Sequence, residues 1–218
     1  MPSSVAIVDV LTEARSAGFL GPGPIEAQLR HAEGFATAAQ RVSAETPTPR
    51  ILDLGSGGGL PGLVVAAAWP KSTMVLLEAN GRRAAFLRRA VGLLGMEERV
   101  SVLQERAEAA GRDSRHRAGF DEVLARSFGR PAVVAECGAP LLRLGGWLVV
   151  SEPPASPDDS AMPGARDVRW PADALAQFGL EPAGVVEDGA TYQLLRQAEI
   201  CPDRFPRRAG VPAKRPLF

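Results

Sequence analysis

The chain has 218 residues, and its 25 Lys and Arg are balanced by 25 Asp and Glu; this suits one domain with a good-sized core and announces no global attraction to nucleic acid or membrane. Its two cysteines, Cys137 and Cys201, lie far apart with only His31 and His116 to help, so neither a disulfide framework nor a metal site is expected. No apolar run approaches membrane-spanning length, the N-terminus lacks a signal-peptide pattern and no solenoid repeat recurs, so the expected location is cytoplasmic, without a membrane partner.

In chain order, residues 1–46 read as a short N-terminal helical arm. Ile25, Leu29, Ala32 and Ala36 recur near helical spacing after the Gly21-Pro22-Gly23-Pro24 break. Thr46-Pro47-Thr48-Pro49 separates this arm from the main domain, residues 47–218. Ile51-Leu52-Asp53-Leu54 is a short apolar strand carrying an acid, and it runs into Gly55-Ser56-Gly57-Gly58-Gly59-Leu60-Pro61-Gly62. Glycines there permit positive φ and close approach of a ligand, while Pro61 suits the first turn of a helix that reaches about Trp69 and stops at Pro70. The strand and turn together read as a nucleotide-cofactor loop.

Met74-Val75-Leu76-Leu77 is a second buried strand, closed by Glu78. Arg82 to Leu94 is amphipathic, with Phe86, Leu87, Ala90, Val91 and Leu94 on one side and Arg82, Arg83, Arg88 and Arg89 largely on others. Val100–Leu103, Phe120–Ala125 and Trp147–Val150 give three more strands, the last following a helix expected to stop at Leu144-Gly145-Gly146. This alternation calls for a parallel sheet covered on both faces. Ser151 to Gly164, rich in proline and small polar residues, reads as a loop, and Val185 to Leu195 as a hairpin about Asp188-Gly189. The last segment carries Arg204, Arg207, Arg208, Lys214 and Arg215, with no acid after Asp203.

The glycine loop lacks the Lys followed by Ser or Thr of a phosphate-gripping loop, which argues against an ATPase or GTPase. Gly57, Gly59 and Gly62 satisfy G-x-G-x-x-G, so the spacing alone does not exclude a dinucleotide dehydrogenase. Asp53 discriminates: a carboxylate near the end of a buried strand needs a cation or donors. S-adenosyl-L-methionine carries an ammonium and a sulfonium but no phosphate, and its loop pairs an acid with G-x-G-x-G as Asp53, Gly55, Gly57 and Gly59 do. Glu78, about 20 residues beyond the loop, is placed to accept from ribose hydroxyls.

These residues carry a resemblance to a particular family. Leu52-Asp53-Leu54-Gly55-Ser56-Gly57-Gly58-Gly59-Leu60-Pro61-Gly62 resembles the signature loop of the bacterial 16S ribosomal RNA guanine-N7 methyltransferases, once called glucose-inhibited division protein B. Leu76-Leu77-Glu78, Glu105-Arg106-Ala107-Glu108, Ala125-Arg126-Ser127-Phe128 and the closing stretch from Phe205 to Leu217 extend the similarity to both ends of the domain. The resemblance implies a class I, Rossmann-like α/β fold with a seven-stranded, mostly parallel sheet closed by an antiparallel hairpin. It implies that Asp53, Gly55, Ser56, Gly57 and Gly59 surround the methionine part of S-adenosyl-L-methionine, that Glu78 holds the ribose, that Ala107 and Glu108 meet the adenine, and that Leu60 and Ala79 also belong to the cofactor site. Arg126 would stand beside the cofactor and face the acceptor, with no general base expected. Arg82, Arg83, Arg207, Arg208, Lys214 and Arg215 would contact ribosomal RNA or the small subunit.

Two positions depart from the family's pattern. Ser151-Glu152 stands where a Lys-Gly pair is usual, and Gly34 where an Asp is usual. A small-molecule methyltransferase on the same scaffold, or a non-catalytic relative that binds cofactor or ribosome, are the alternatives these departures leave open.

Overall fold

The structure, a computed structural model, describes residues 4–43, 45–154 and 168–218. Helices α1 (Ser4–Ser16) and α2 (Ile25–Val42) lead into strand β1 (Arg50–Leu54). Then come α3 (Gly62–Ala68), β2 (Thr73–Leu77), α4 (Gly81–Leu93), β3 (Val100–Leu103), α5 (Ala107–Ala110), β4 (Phe120–Ala125), α6 (Pro131–Gly138), a 3-10 turn (Ala139–Leu141) and β5 (Leu142–Ser151). Helix α7 (Ala172–Ala176), strands β6 (Leu180–Glu187) and β7 (Thr191–Gln197), and helix α8 (Val211–Lys214) follow.

The strands form one seven-stranded sheet in the order β3-β2-β1-β4-β5-β7-β6. Strands β1 to β5 run parallel, and β7 is antiparallel to both β5 and β6. The expected α/β architecture and its closing hairpin are therefore present. The order reverses beside β1, which pairs with β2 on one side and β4 on the other, and such a switch opens a crevice at the carboxyl ends of the strands.

Strand alternation divides the core between two faces. Ile51, Met74, Leu76, Leu124 and Val149 join one cluster with Leu63 of α3 and Phe86 and Leu87 of α4, while Leu52, Leu54, Val75, Leu77, Val123 and Leu148 join the other with Val134 of α6. Each buried leucine stabilises the sheet by roughly 1.5–3 kcal/mol. Ile7, Val10 and Leu11 of α1 and Ala32, Phe35 and Ala39 of α2 belong to the first of these clusters, so the N-terminal helices share the core of the sheet.

The expected helix stop at Leu144-Gly145-Gly146 is corrected: α6 ends at Gly138, and these residues lie inside β5. The physical reason is a strand irregularity. The β4–β5 register shifts between Phe120 and Glu122, and a Cβ on Gly146 would come 3.0 Å from the carbonyl oxygens of both Arg143 and Asp121. Of the stretch read as a loop, Ser151 ends β5, Glu152 to Pro154 follow it without regular structure, and residues 155–164 lie outside the described residues.

The C-terminal segment is held to the second face by acids of α5 and α6. Glu136, 1% exposed, accepts from the Arg207 backbone N–H (2.8 Å) and from its guanidinium at Nε (2.8 Å) and Nη2 (2.6 Å). Glu108 Oε1 accepts the N–H of Gly210 at 2.7 Å.

Candidate active site

Strand β1 carries Asp53, buried near its carboxyl end, and the following loop is built on backbone hydrogen bonds to β2. The N–H groups of Gly55 and Ser56 both donate to the carbonyl of Leu77, at 2.9 and 3.0 Å, and Ser56 Oγ donates back to the Asp53 carbonyl at 3.1 Å. Two glycines here admit no side chain. Gly55, with φ 77°, lies under Phe128, whose ring would be 2.7 Å from a Cβ; at Gly62 a Cβ would come 2.6 Å from Asp53 Oδ2. Gly62 thereby lets the start of α3 reach Asp53, and its N–H donates to Oδ2 at 3.1 Å.

The two strand-end acids have different surroundings. Glu78 is fully engaged by backbone: Oε2 accepts from Gly57 N–H (2.9 Å) and Oε1 from Asn80 N–H (2.8 Å). Each carboxylate oxygen can accept more than one hydrogen bond, so the acid can brace the loop and still receive hydroxyls. Asp53 is 1% exposed, and its Oδ1 is buried without a partner. Burial pushes its carboxyl up to about 7, against the opposing pull of the Ser56 side chain, the Gly62 N–H and the Arg126 guanidinium.

Beside this loop lies a cleft of about 220 Å³ lined by Gly55, Leu77, Glu78, Ala79, Arg83, Glu105, Ala107, Ser127 and Phe128. Asn80 caps α4 with its side-chain oxygen, accepting from Arg82 and Arg83 N–H at 2.9 and 3.2 Å, which fixes where Arg83 enters the cleft wall. At the end of β4, Ser127 takes a left-handed φ of 52°, an uncommon conformation for a residue with a side chain. Neighbouring Arg126 is half-buried, and its Nη2 donates to Gln28 Oε1 of α2 at 3.3 Å. Burial lowers its pKa and the Asp53 carboxylate raises it. Among the described residues it makes no ion pair.

The sequence-derived residues thus divide. Asp53, Gly55, Ser56, Gly57, Gly59 and Leu60 form one continuous loop, with Ser56 and Leu60 buried beneath it. Glu78, Ala79, Ala107 and Arg83 line the cleft. Glu108 is held by Gly210 and by Arg106 at 3.6 Å and is not part of the cleft wall. Arg207 is engaged by Glu136, whereas Arg82, Arg208, Lys214 and Arg215 are exposed. Ser127 and Phe128, part of the motif around Arg126, line the cleft as well, and Gln28 is a contact of Arg126 that no motif points to. A signal for Gln28 existed, since a glutamine on the Ile25, Ala32, Ala36 stripe is a polar group directed into a core.

Sheet order, glycine loop and paired strand-end acids define a class I S-adenosylmethionine-dependent methyltransferase. Solved structures agree on the fold: the O-methyltransferase from Bacillus cereus in complex with SAH superposes with a TM-score of 0.62 at 16% identity, over 90% of this chain and 92% of that one. A putative O-methyltransferase from Klebsiella pneumoniae gives 0.60 at 18% identity, over 90% and 91%. The family model of rRNA small subunit methyltransferase G matches residues 27–153. Proteins named ribosomal RNA small subunit methyltransferase G are similar to it in Rubrobacter xylanophilus (38% identity, 77% of this chain, 65% of that protein) and in Roseiflexus castenholzii (34%, 80% and 73%). The chain belongs to the rRNA small subunit methyltransferase G family. It spans about two thirds of the length of the Rubrobacter relative.

S-adenosylmethionine is the cofactor of this class, and the residues present fit it. The buried, unpartnered Asp53 Oδ1 matches a ligand ammonium, and the cleft at Glu78 and Ala79 matches a ribose. No helix among the described residues is long and apolar enough to cross a membrane.

Proposed function

We propose that this chain methylates N7 of a guanine in small-subunit ribosomal RNA, with Asp53, Gly55, Ser56, Gly57, Gly59, Leu60, Glu78, Ala79 and Ala107 forming the cofactor site and Arg126 facing the acceptor. When bound, S-adenosylmethionine supplies an electrophilic methyl group on sulfur. Asp53 holds the cofactor's ammonium, Glu78 its ribose hydroxyls, and the Gly55–Gly59 turn the backbone surface on which it lies. Guanine N7 carries a free lone pair, so no residue needs to remove a proton, and catalysis rests on alignment.

The observation that carries this reading is the state of Arg126. Its guanidinium stands at the end of β4 near Asp53, held by a neutral amide and by no acid, so its remaining N–H groups are available to a phosphate or to guanine O6. Glu152, the acid at the departure in sequence, is already paired: Oε1 accepts from Trp170 Nε1 at 2.5 Å and the other oxygen pairs with Arg169. Arg82 and Arg83 at one end of α4, with Arg208, Lys214 and Arg215 on the tail, supply the RNA-facing charge. The structural role of Arg207 removes it from that set, and Glu108, turned to Gly210, braces the tail instead of reading adenine.

The test is transfer of tritiated methyl to small subunits, naked ribosomal RNA and a metabolite extract, followed by mapping of the labelled atom. Label at guanine N7 of the RNA is expected. Label confined to metabolites would replace this reading with a small-molecule methyltransferase, and cofactor binding without any label with a non-catalytic relative.

A further inference from the structure

The loop between α1 and α2, Ala17 to Pro24, lies across the glycine turn. Phe19 packs its ring edge-on against Phe86 of α4, with centroids 5.6 Å apart, and its N–H closes α1 on the Ala14 carbonyl at 2.8 Å. Leu20 covers Gly58 closely enough that a Cβ there would lie 2.6 Å from Leu20 Cδ2. This stretch is a strap over the turn.

Gln28 joins the strap to the acceptor side. It is 7% exposed; its Nε2 donates to the Gly21 carbonyl at 3.1 Å, and its Oε1 accepts from Arg126 Nη2 at 3.3 Å. One amide therefore uses its donor on the strap and its acceptor on the arginine. Among the described residues the Arg126 guanidinium makes no other hydrogen bond and no ion pair, and the ring of nearby His31 is half-buried with its Nδ1 unpartnered. The helix that carries Gln28 is itself pinned to β7, where the Tyr192 hydroxyl donates to the His31 carbonyl at 2.6 Å.

We propose that Gln28 is a positioning residue: it aims Arg126 at the acceptor and, through Gly21, makes that aim depend on a strap seated over the glycine turn. The proposal rests on the reading of Arg126 as the acceptor-facing group. With the strap seated, the turn is covered and the Gln28 amide that anchors Arg126 is held in place; with the strap lifted, the cofactor site opens and that amide, freed of Gly21, loses its fixed orientation. A closure of this kind links donor retention to acceptor alignment, and small displacements of an aligning group cost large factors in rate.

Two substitutions separate the two bonds. Gln28→Leu removes both, whereas Gln28→Glu keeps an acceptor for Arg126 and loses the donor to Gly21. Three quantities are measured on each: the dissociation rate of S-adenosylhomocysteine displaced by excess S-adenosylmethionine, single-turnover methyl transfer to small subunits, and the thermal midpoint. Gln28→Leu is expected to release the product about fivefold faster and to transfer about tenfold more slowly. Gln28→Glu should release it equally fast yet recover transfer to within about threefold of the parent. Equal transfer in the two variants, or unchanged dissociation in both, overturns the proposal, since a packing role alone moves them together. If Gln28→Leu does not fold, Gln28→Glu and Gln28→Asn carry the comparison. An Arg126→Ala variant with undiminished transfer would instead remove the acceptor role of Arg126 while leaving the dissociation readout to decide on the strap.

Discussion

Cofactor affinity should depend on pH through Asp53. In the free protein its carboxyl is raised from 3.8 to about 7 by burial, and the cofactor's ammonium favours the ionised form. The bound-state pKa is therefore lower than the free-state one, so binding releases a proton below about pH 7 and affinity falls as pH drops through that value. At pH 6 about one tenth of the free protein has Asp53 ionised, which raises the apparent Kd about tenfold, or about 1.4 kcal/mol. Above about pH 8 the ligand's own α-amino group loses its charge, so the affinity maximum should fall between roughly pH 7 and 8.

Asp53→Asn isolates the effect. The amide oxygen can still accept from Gly62 N–H, so the turn is preserved, but the charge that meets the ammonium is gone. Losing a hydrogen bond to a charged group costs about 1.5–3 kcal/mol, a Kd roughly ten- to a hundredfold higher. The acid limb of the pH profile should also disappear. Calorimetric titration with S-adenosylhomocysteine from pH 5.5 to 8, in two buffers of different ionisation enthalpy, measures both Kd and protons released. A parent Kd that stays flat between pH 5.5 and 7, with no buffer-dependent heat, would show that Asp53 does not carry the ammonium.

Other predictions concern stability and RNA affinity. Glu122 of β4 is 0% exposed, and burial raises it from 4.5 to about 8 against the opposing pull of the Ser43 side chain. The unfolded chain gives up this proton from about pH 4.5 upward while the native state keeps it, so stability falls with rising pH until about 8, by up to about 3 kcal/mol at pH 7. Glu122→Gln should therefore stabilise the protein at pH 7 and flatten that slope in urea unfolding at pH 5 and pH 7.5; equal slopes for parent and variant would contradict the assignment. Arg207→Ala leaves Glu136 buried without its cation and should cost about 3 kcal/mol, whereas pairing it with Glu136→Met should recover much of the loss. Lys214→Ala and Arg215→Ala should each lower the salt dependence of RNA binding by about one phosphate contact without altering cofactor Kd, as read from affinity against salt concentration.

Much of the fold was legible because its strands are short, and β1, β2 and β4 are largely apolar runs buried on both sides. Val100–Leu103 and Phe120–Ala125 fall where the sequence places them, and the Asp188-Gly189 turn separates two strands as expected. Gly145-Gly146 misled because glycine punctuates helices and strand irregularities alike, and only the neighbouring carbonyl oxygens decide which. The loop was legible at the site because its residues are consecutive. Orientation was not: Glu108 and Arg207 belong to motifs in sequence, but a motif does not say which carboxylate or guanidinium finds a partner 70 or more residues away. Their partners, Gly210 and Glu136, are 102 and 71 residues distant.

Gly34 and Glu152, the two positions at which the sequence reading expects a departure from the resemblance, meet at one place, the start of β7. Gly34 leaves room for Tyr192: a Cβ at position 34 would come 2.3 Å from the phenolic oxygen and 2.6 Å from the Asp188 carbonyl. Tyr192 is 0% exposed, and its ring packs edge-on against Phe35, with centroids 4.8 Å apart. An aspartate at 34 is thus incompatible with this tyrosine where it stands. The other departure is adjacent, for the Glu152 N–H donates to the carbonyl of Thr191 at 2.8 Å while its side chain gathers Arg169 and Trp170. Each unusual residue has a local partner that accounts for it, and neither replaces a group of the Asp53–Gly62 loop or of the cleft wall. Gly34 and Glu152 therefore act in fastening α2 and the residues after β5 to the hairpin, away from the residues proposed to hold the methyl donor.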